Sequence, residues 1–167
     1  MAKIQRMVPC LWFAEEAEEA ANFYVGIFPN SRINAITRYP AVGQATTGRP
    51  AGSVMTVEFE LDGFRMTALN GGPVFTFNEA VSLQVMCASQ DEIDYYWERL
   101  GAGGDPKARQ CGWLKDRYGL SWQITPTGME EMFADAESPN TQRAFAAMLG
   151  MKKLDIEALR NAYHGAP

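Results

Sequence analysis

Two short segments carry side chains whose types and spacing could do covalent or acid–base chemistry. In Ala108-Arg109-Gln110-Cys111-Gly112, Cys111 is a candidate nucleophile, and the nearby cations Arg109 and Lys115 could favour its thiolate. In the second, Asp116 and Tyr118 stand as a candidate acid–base pair, although an Asp-x-x-Gly turn ending at Gly119 explains Asp116 equally well. Neither segment has an imidazole to work with. The single histidine, His164, sits in a Gly/Ala/Pro tail, so a Cys–His mechanism and a multi-histidine metal site in the folded body are both excluded by inventory. Cys111 also reads simply as a small buried hydrophobe.

The rest of the composition narrows the partners. A net charge of −5 with no cationic run longer than Lys152-Lys153 argues against nucleic acid and anionic lipid, which both need concentrated positive charge. Apolar residues make up 47% of 167 positions, ample for a real core. No stretch approaches the roughly 20 apolar residues of a membrane span, and Met1-Ala2-Lys3-Ile4 lacks the apolar start of a signal peptide. Cys10, Cys87 and Cys111 have no metal-ligand or redox spacing and read as reduced thiols in the cytoplasm.

The elements that must position these residues follow from periodicity. Val8 to Phe13 is an apolar run predicted to be a buried strand, and Ala17, Ala20, Ala21, Tyr24 and Phe28 then repeat at helical spacing until Pro29-Asn30. Strands are predicted at Ile33 to Tyr39, Ser53 to Leu61 and Phe64 to Leu69, the last two joined by an Asp62-Gly63 hairpin turn. Pro40 to Gly52 reads as an irregular loop. After Asn70-Gly71-Gly72-Pro73 the plan restarts: a strand at Val81 to Val85, and a helix opened by the capping box Ser89-x-x-Glu92 with Ile93, Tyr96, Trp97 and Leu100 facing inward. A hairpin from Cys111 to Lys115 and Leu120 to Thr125 completes it. Three helical segments follow, with starts predicted at Thr127-x-x-Glu130, Ser138-Pro139 and Asp155. The apolar stripes Phe145, Met148, Leu149 and Ile156, Leu159, Tyr163 imply packing within the domain or against a second subunit.

Strand–helix–strands therefore occurs twice, over about residues 3–70 and 80–126, in one domain spanning 1–167 with a helical extension over about 127–165. The class is α+β. Several segments together resemble PhnB-like proteins of the vicinal oxygen chelate superfamily, the group labelled 3-demethylubiquinone-9 3-methyltransferase-like. They are Leu11-Trp12-Phe13, Phe23-Tyr24, Phe28-Pro29-Asn30-Ser31, Ala68-Leu69-Asn70-Gly71-Gly72-Pro73, Cys111-Gly112-Trp113-Leu114-Lys115-Asp116 and Gly119-Leu120-Ser121-Trp122-Gln123. The resemblance implies two βαβββ modules of the glyoxalase/bleomycin-resistance fold, a bacterial source and commonly a homodimer.

Metal-using members of that superfamily place one ligand on the first and one on the last strand of each module. Carried over, those positions are Pro9, Thr67, Ser82 and Gln123. Proline has no donor, and neutral hydroxyl and amide oxygens are poor ligands for zinc. A hard ion on Glu58 or Glu60 is the remaining option. No metal and no other cofactor is expected. The resemblance instead points to a small-molecule site with Trp12, Asn70, Ser82, Trp113, Trp122 and Gln123 as ligand-binding candidates and Gln123, Cys111 and Asp116 as catalytic candidates. The same polar residues could equally be core groups satisfying the backbone.

Three readings follow. The first is a protein that binds or transforms a small organic metabolite without a histidine-based metal site. The second is a non-catalytic binder of a hydrophobic or drug-like molecule, as in bleomycin resistance. The third is a metal-dependent glyoxalase- or dioxygenase-type enzyme, or a methyltransferase as the family label suggests. Against the last, a doubly wound S-adenosylmethionine domain needs a Gly-rich strand-to-helix loop, and Gly101-Ala102-Gly103-Gly104 follows a helix.

Overall fold

The chain divides between Phe77 and Asn78 into two compact units, each with its own sheet. The computed structural model describes residues 5–165, so the reading of Met1 to Ile4 lies outside the described residues.

In the first unit, β1 (Cys10–Phe13) leads into α1 (Ala17–Val25), followed by β2 (Arg32–Arg38), β3 (Val54–Leu61) and β4 (Phe64–Asn70). The order across the sheet is β1-β4-β3-β2, with β1 parallel to β4 and the other pairs antiparallel. The β3–β4 hairpin turns at Asp62 (φ 46°) and Gly63 (φ 80°), two left-handed residues as a type I′ turn requires. Alternation along β3 and β4 sends Val57, Phe59, Leu61, Met66 and Ala68 to the helix side, where all are buried. Three alanines, Ala17, Ala20 and Ala21, let the helix lie close, and the Tyr24 ring stacks on Phe59 with centroids 6.3 Å apart. Each large side chain buried there stabilises the unit by about 1.5–3 kcal/mol. The expected loop between β2 and β3 contains one helical turn, α2 (Gln44–Thr47), bracketed by left-handed glycines at 43 and 48.

The second unit runs β5 (Ser82–Cys87), α3 (Gln90–Gly101), a 3-10 turn (Pro106–Ala108), β6 (Trp113–Lys115) and β7 (Ser121–Pro126), in the order β5-β7-β6. Again the first strand of the unit, β5, is parallel to the last, β7, and the hairpin β6–β7 is antiparallel. Helix α3 covers one face with Ile93, Trp97 and Leu100. The strand expected over Cys111 to Lys115 begins only at Trp113, because Cys111 (φ 50°) and Gly112 (φ 83°) are left-handed and break the extended run. A side chain at 112 would also lie 2.9 Å from the Ile124 carbonyl, so only glycine fits. Where the first unit has β2, the second has the 3-10 turn and a lone bridge between Gln110 and Trp113.

The helices α4 (Met129–Met132), α5 (Pro139–Leu149) and α6 (Ile156–His164) complete the second unit. Asp155 caps α6 by accepting from the Ala158 N–H at 2.8 Å. Ser138 and Pro139 open α5 as predicted, but Thr127 does not cap α4: left-handed Gly128 holds that position, and the Thr127 N–H donates to the Cys87 carbonyl. The α+β architecture with a C-terminal helical region is as expected from the periodicity.

Candidate functional site

Each sheet has one face under its helix and one turned away from it, and the strand register decides which residues share the outward face. In the first unit Cys10 pairs with Thr67 across the parallel β1–β4 ladder. Cys10, not Pro9, therefore stands beside Thr67 on the outward face. Pro9, the position carried over from the superfamily, shares the parity of Leu11 and Phe13. Partial burial raises the Cys10 thiol pKa. Glu58, opposite Thr67, lies 3.4 Å from Arg65, and Glu60 lies 2.9 Å from Arg32, so both carboxylates face guanidinium partners.

Trp12 is held rather than free. Its indole N–H donates to the Gly72 carbonyl at 2.8 Å, and Phe75 meets the ring edge-on at 5.0 Å. A Cβ on Gly71 would fall 2.0 Å from that ring, which is why the turn after β4 needs glycine there. Asn70 is committed to structure: only 4% exposed, it accepts the Ala17 N–H at 2.8 Å and donates to the Val54 carbonyl at 3.1 Å. It holds the start of α1 and has no amide atom turned outward to a ligand.

The outward face of the second sheet is different. Its register aligns Ser82 with Ser121 and Gln84 with Gln123, while β6 sets Trp113 opposite Gln123 and Lys115 opposite Ser121. Gln84 donates to Gln123 Oε1 at 3.3 Å, and Gln123 Nε2 donates to Ser82 Oγ at 2.7 Å. Three expected residues, Ser82, Trp113 and Gln123, thus come together on one face, with Ser82 and Gln123 joined in an amide–hydroxyl chain and Trp113 opposite Gln123 in the register. Lys115 on the same face is ion-paired with Glu79, whose carboxyl pKa is lowered by the hydrogen bond and charge of that lysine. Sequence reasoning missed Gln84, Lys115 and Ser121 as members of this face. The available signal was period two: each lies two residues from a residue already singled out.

Two candidates are carried to the other side. Trp122, 2% exposed, faces the core and donates its indole N–H to Asp116 Oδ2 at 2.8 Å. Asp116, also 2% exposed, further accepts the N–H groups of Tyr118 at 2.8 Å and Leu120 at 3.1 Å. It is the anchor of the β6–β7 turn. Cys111 precedes β6, with its thiol donating to the Met148 carbonyl at 3.4 Å and its N–H to the Met151 carbonyl. The cations expected near it are engaged elsewhere: Arg109 donates to the Gly101 carbonyl and lies over the Trp97 ring, and Lys115 pairs with Glu79. Cys87 is fully buried, and its thiol is pushed up to about 12 by burial and, secondarily, by the charge of Glu92.

The glycine run after α3 serves packing. A Cβ on Gly104 would lie 1.9 Å from the Lys115 carbonyl, so the backbone passes directly against β6. A cleft of about 210 Å³ opens between the ends of β5 and β7 and helices α4 and α6, lined by Met129, Met132, Ile156, Leu159, Glu131 and Arg160 among others. None of the expected site residues lines it.

Residues 5–125 match the family model described as 3-demethylubiquinone-9 3-methyltransferase. Among solved structures, the PhnB protein from Bacillus cereus is 34% identical, with a TM-score of 0.62 over 74% of this chain and 100% of that one. PA1353 from Pseudomonas aeruginosa is 20% identical, with a TM-score of 0.55 over 74% of this chain and 98% of its own. The fosfomycin resistance protein FosX from Listeria monocytogenes is 15% identical, with a TM-score of 0.52 over 78% and 96% of the two chains. A variant of that protein has been crystallised with Mn(II) and a dihydroxypropylphosphonic acid. At these identities PA1353 and FosX are similar in fold alone. No curated protein matches the chain in sequence.

Proposed function

Because this chain belongs to the 3-demethylubiquinone-9 3-methyltransferase family, PhnB-like proteins of the vicinal oxygen chelate superfamily, we propose that it binds a small organic metabolite on the outward face of its second sheet. The supporting observation is the chain Gln84–Gln123–Ser82 with Trp113 beside it: neutral hydrogen-bonding groups next to one aromatic wall. That combination suits an oxygen-bearing ligand with a flat apolar body. A few placed polar groups orient the ligand, and the ring supplies contact area.

The donor types at the superfamily's metal positions do not fit a divalent ion. The first unit offers a thiol and a hydroxyl at Cys10 and Thr67; the second offers a hydroxyl and an amide at Ser82 and Gln123, already bonded to each other. Neutral oxygens of this kind bind zinc poorly, and hard ions favour carboxylates, which here face arginines. No step through a metal is proposed. The nucleotide cradle that methyl transfer from S-adenosylmethionine would need is likewise not supported, since the glycine run packs against β6.

Thermal-shift screening of a metabolite and drug library on the purified protein, paired with product analysis and metal analysis, tests this reading. We expect oxygenated aromatic compounds to stabilise the protein, and Gln123→Ala to abolish that shift while leaving the fold intact. Equal shifts in wild type and variant would sink it, as would tightly held stoichiometric metal. Stabilisation without turnover would identify a sequestering binder.

A homodimer is proposed as well, supported by Phe145 and Leu149, 48% and 52% exposed on α5. A monomer in sedimentation at micromolar concentration would refute it. Three unpaired thiols support a reducing cytoplasm. Among the described residues no helix is long and apolar enough to cross a membrane.

A further inference from the structure

One row across the second sheet holds more hydrogen-bond donors than it can use internally. The register sets Ser82, Ser121 and Lys115 side by side on β5, β7 and β6, all on the outward face. Directly paired residues on neighbouring strands have side chains about 5 Å apart. Ser121 is 1% exposed, and its hydroxyl oxygen is buried with no hydrogen-bond partner among the described residues. Ser82 already accepts from Gln123, which leaves its own hydrogen to give. The amide chain running from Gln84 through Gln123 into Ser82 polarises that hydroxyl further as a donor. Lys115 adds a third donor and a positive charge. Among the described residues, the acceptor bonded to this row is the Glu79 carboxylate on Lys115, from a side chain 66% exposed.

We infer that the Ser82–Ser121–Lys115 row is an oxyanion subsite, taking the carboxylate of a small aromatic acid whose flat body lies against Trp113. Glu79 holds Lys115 when no ligand is bound and is displaced from it by the ligand's carboxylate. The inference rests on the metabolite-binding reading above and adds the ligand's charge. Three converging donors with one displaceable carboxylate are what a bound anion needs and what a neutral ligand would leave unpaired. An orphaned buried hydroxyl costs about 1–3 kcal/mol in a folded protein. At Ser121 that cost is explained when the hydroxyl donates to a ligand.

Calorimetric titration with benzoate, and with benzamide as its neutral counterpart at constant ionic strength, provides the test. Benzoate is expected to bind at least about tenfold more tightly than benzamide, the weight of one charge-assisted bond. Lys115→Ala and Ser121→Ala should each weaken benzoate by about tenfold and leave benzamide unchanged. Glu79→Gln, which removes the internal competitor, should tighten benzoate by about threefold. Ser121→Ala should also leave Tm unchanged or raise it, because an unbonded buried hydroxyl is lost. A drop in Tm would make Ser121 structural and remove it from the subsite. Equal binding of benzoate and benzamide, both dependent on Gln123, would overturn the anion subsite and keep the metabolite site. Failure of wild type to bind benzoate overturns the inference. The wider reading falls separately, when Gln123→Ala leaves every library-induced shift unchanged.

Discussion

Helix α1 in the first unit takes its leading hydrogen bond from Asn70, 53 residues further along the chain, whereas α3 in the second unit takes it from Ser89 immediately before it. Both helices sit on the same strand plan, and both need their free N–H groups satisfied. In the first unit the need is met by the last residue of β4, buried for the purpose, and the charged groups of the outward face are paired in Arg32–Glu60 and Arg65–Glu58. In the second, the local cap leaves the last strand free of that duty, and β7 presents Ser121 and Gln123 to the outward face instead. Duplicated architecture has divided the work. One copy spends its polar residues on holding the fold, and the other leaves Ser121 and Gln123 on its outward face.

The sharpest break of this comparison is at Asp116, the turn anchor of the second unit, which accepts two backbone N–H groups and the Trp122 indole. Asp116→Ala should cost about 3–5 kcal/mol in urea denaturation, since two buried donors and one part-buried donor lose their acceptor. A loss below about 1 kcal/mol would show that the turn is held by something else. Next is Asn70→Ala, which strands the Ala17 N–H and the Val54 carbonyl and should cost about 2–3 kcal/mol. Ser89→Ala removes one exposed cap bond and should cost about 1 kcal/mol. Equal costs for these two would erase the contrast between a long-range and a local helix start.

The smallest effect concerns acid. Because Lys115 holds the Glu79 carboxyl below its ordinary value of 4.5, the ion pair contributes stability above that value. The contribution is lost as pH falls through the lowered folded value. Thermal melts of wild type and Glu79→Gln should therefore differ near neutral pH and converge on acidification. Parallel acid limbs would place Glu79 outside the pair in solution.

Local signals were legible. The Ser89 and Asp155 caps, the Asp62-Gly63 turn and the alanine stripe of α1 each depend on residues within a few positions of one another, and all formed as the spacing implies. Errors arose where a single backbone preference overrode the apolar pattern. Left-handed Cys111 and Gly112 shortened β6, and Gly128 took the cap expected of Thr127. The site was half legible. Ser82, Trp113 and Gln123 share a face, but Trp122 and Asp116 face the core, Asn70 serves α1, and Pro9 yields its place to Cys10.

By itself the sequence determined the chemical inventory: one histidine, near the end of the chain, a strand–helix–strand plan used twice, and helix starts written in adjacent residues. It could do so because composition and periodicity are properties of neighbouring positions. Only the tertiary structure decided that Ser82, Lys115 and Ser121 form one row and that Asn70 serves a helix far from it in sequence. Strand register brings together residues dozens of positions apart, and a slip of one residue turns every side chain to the opposite face.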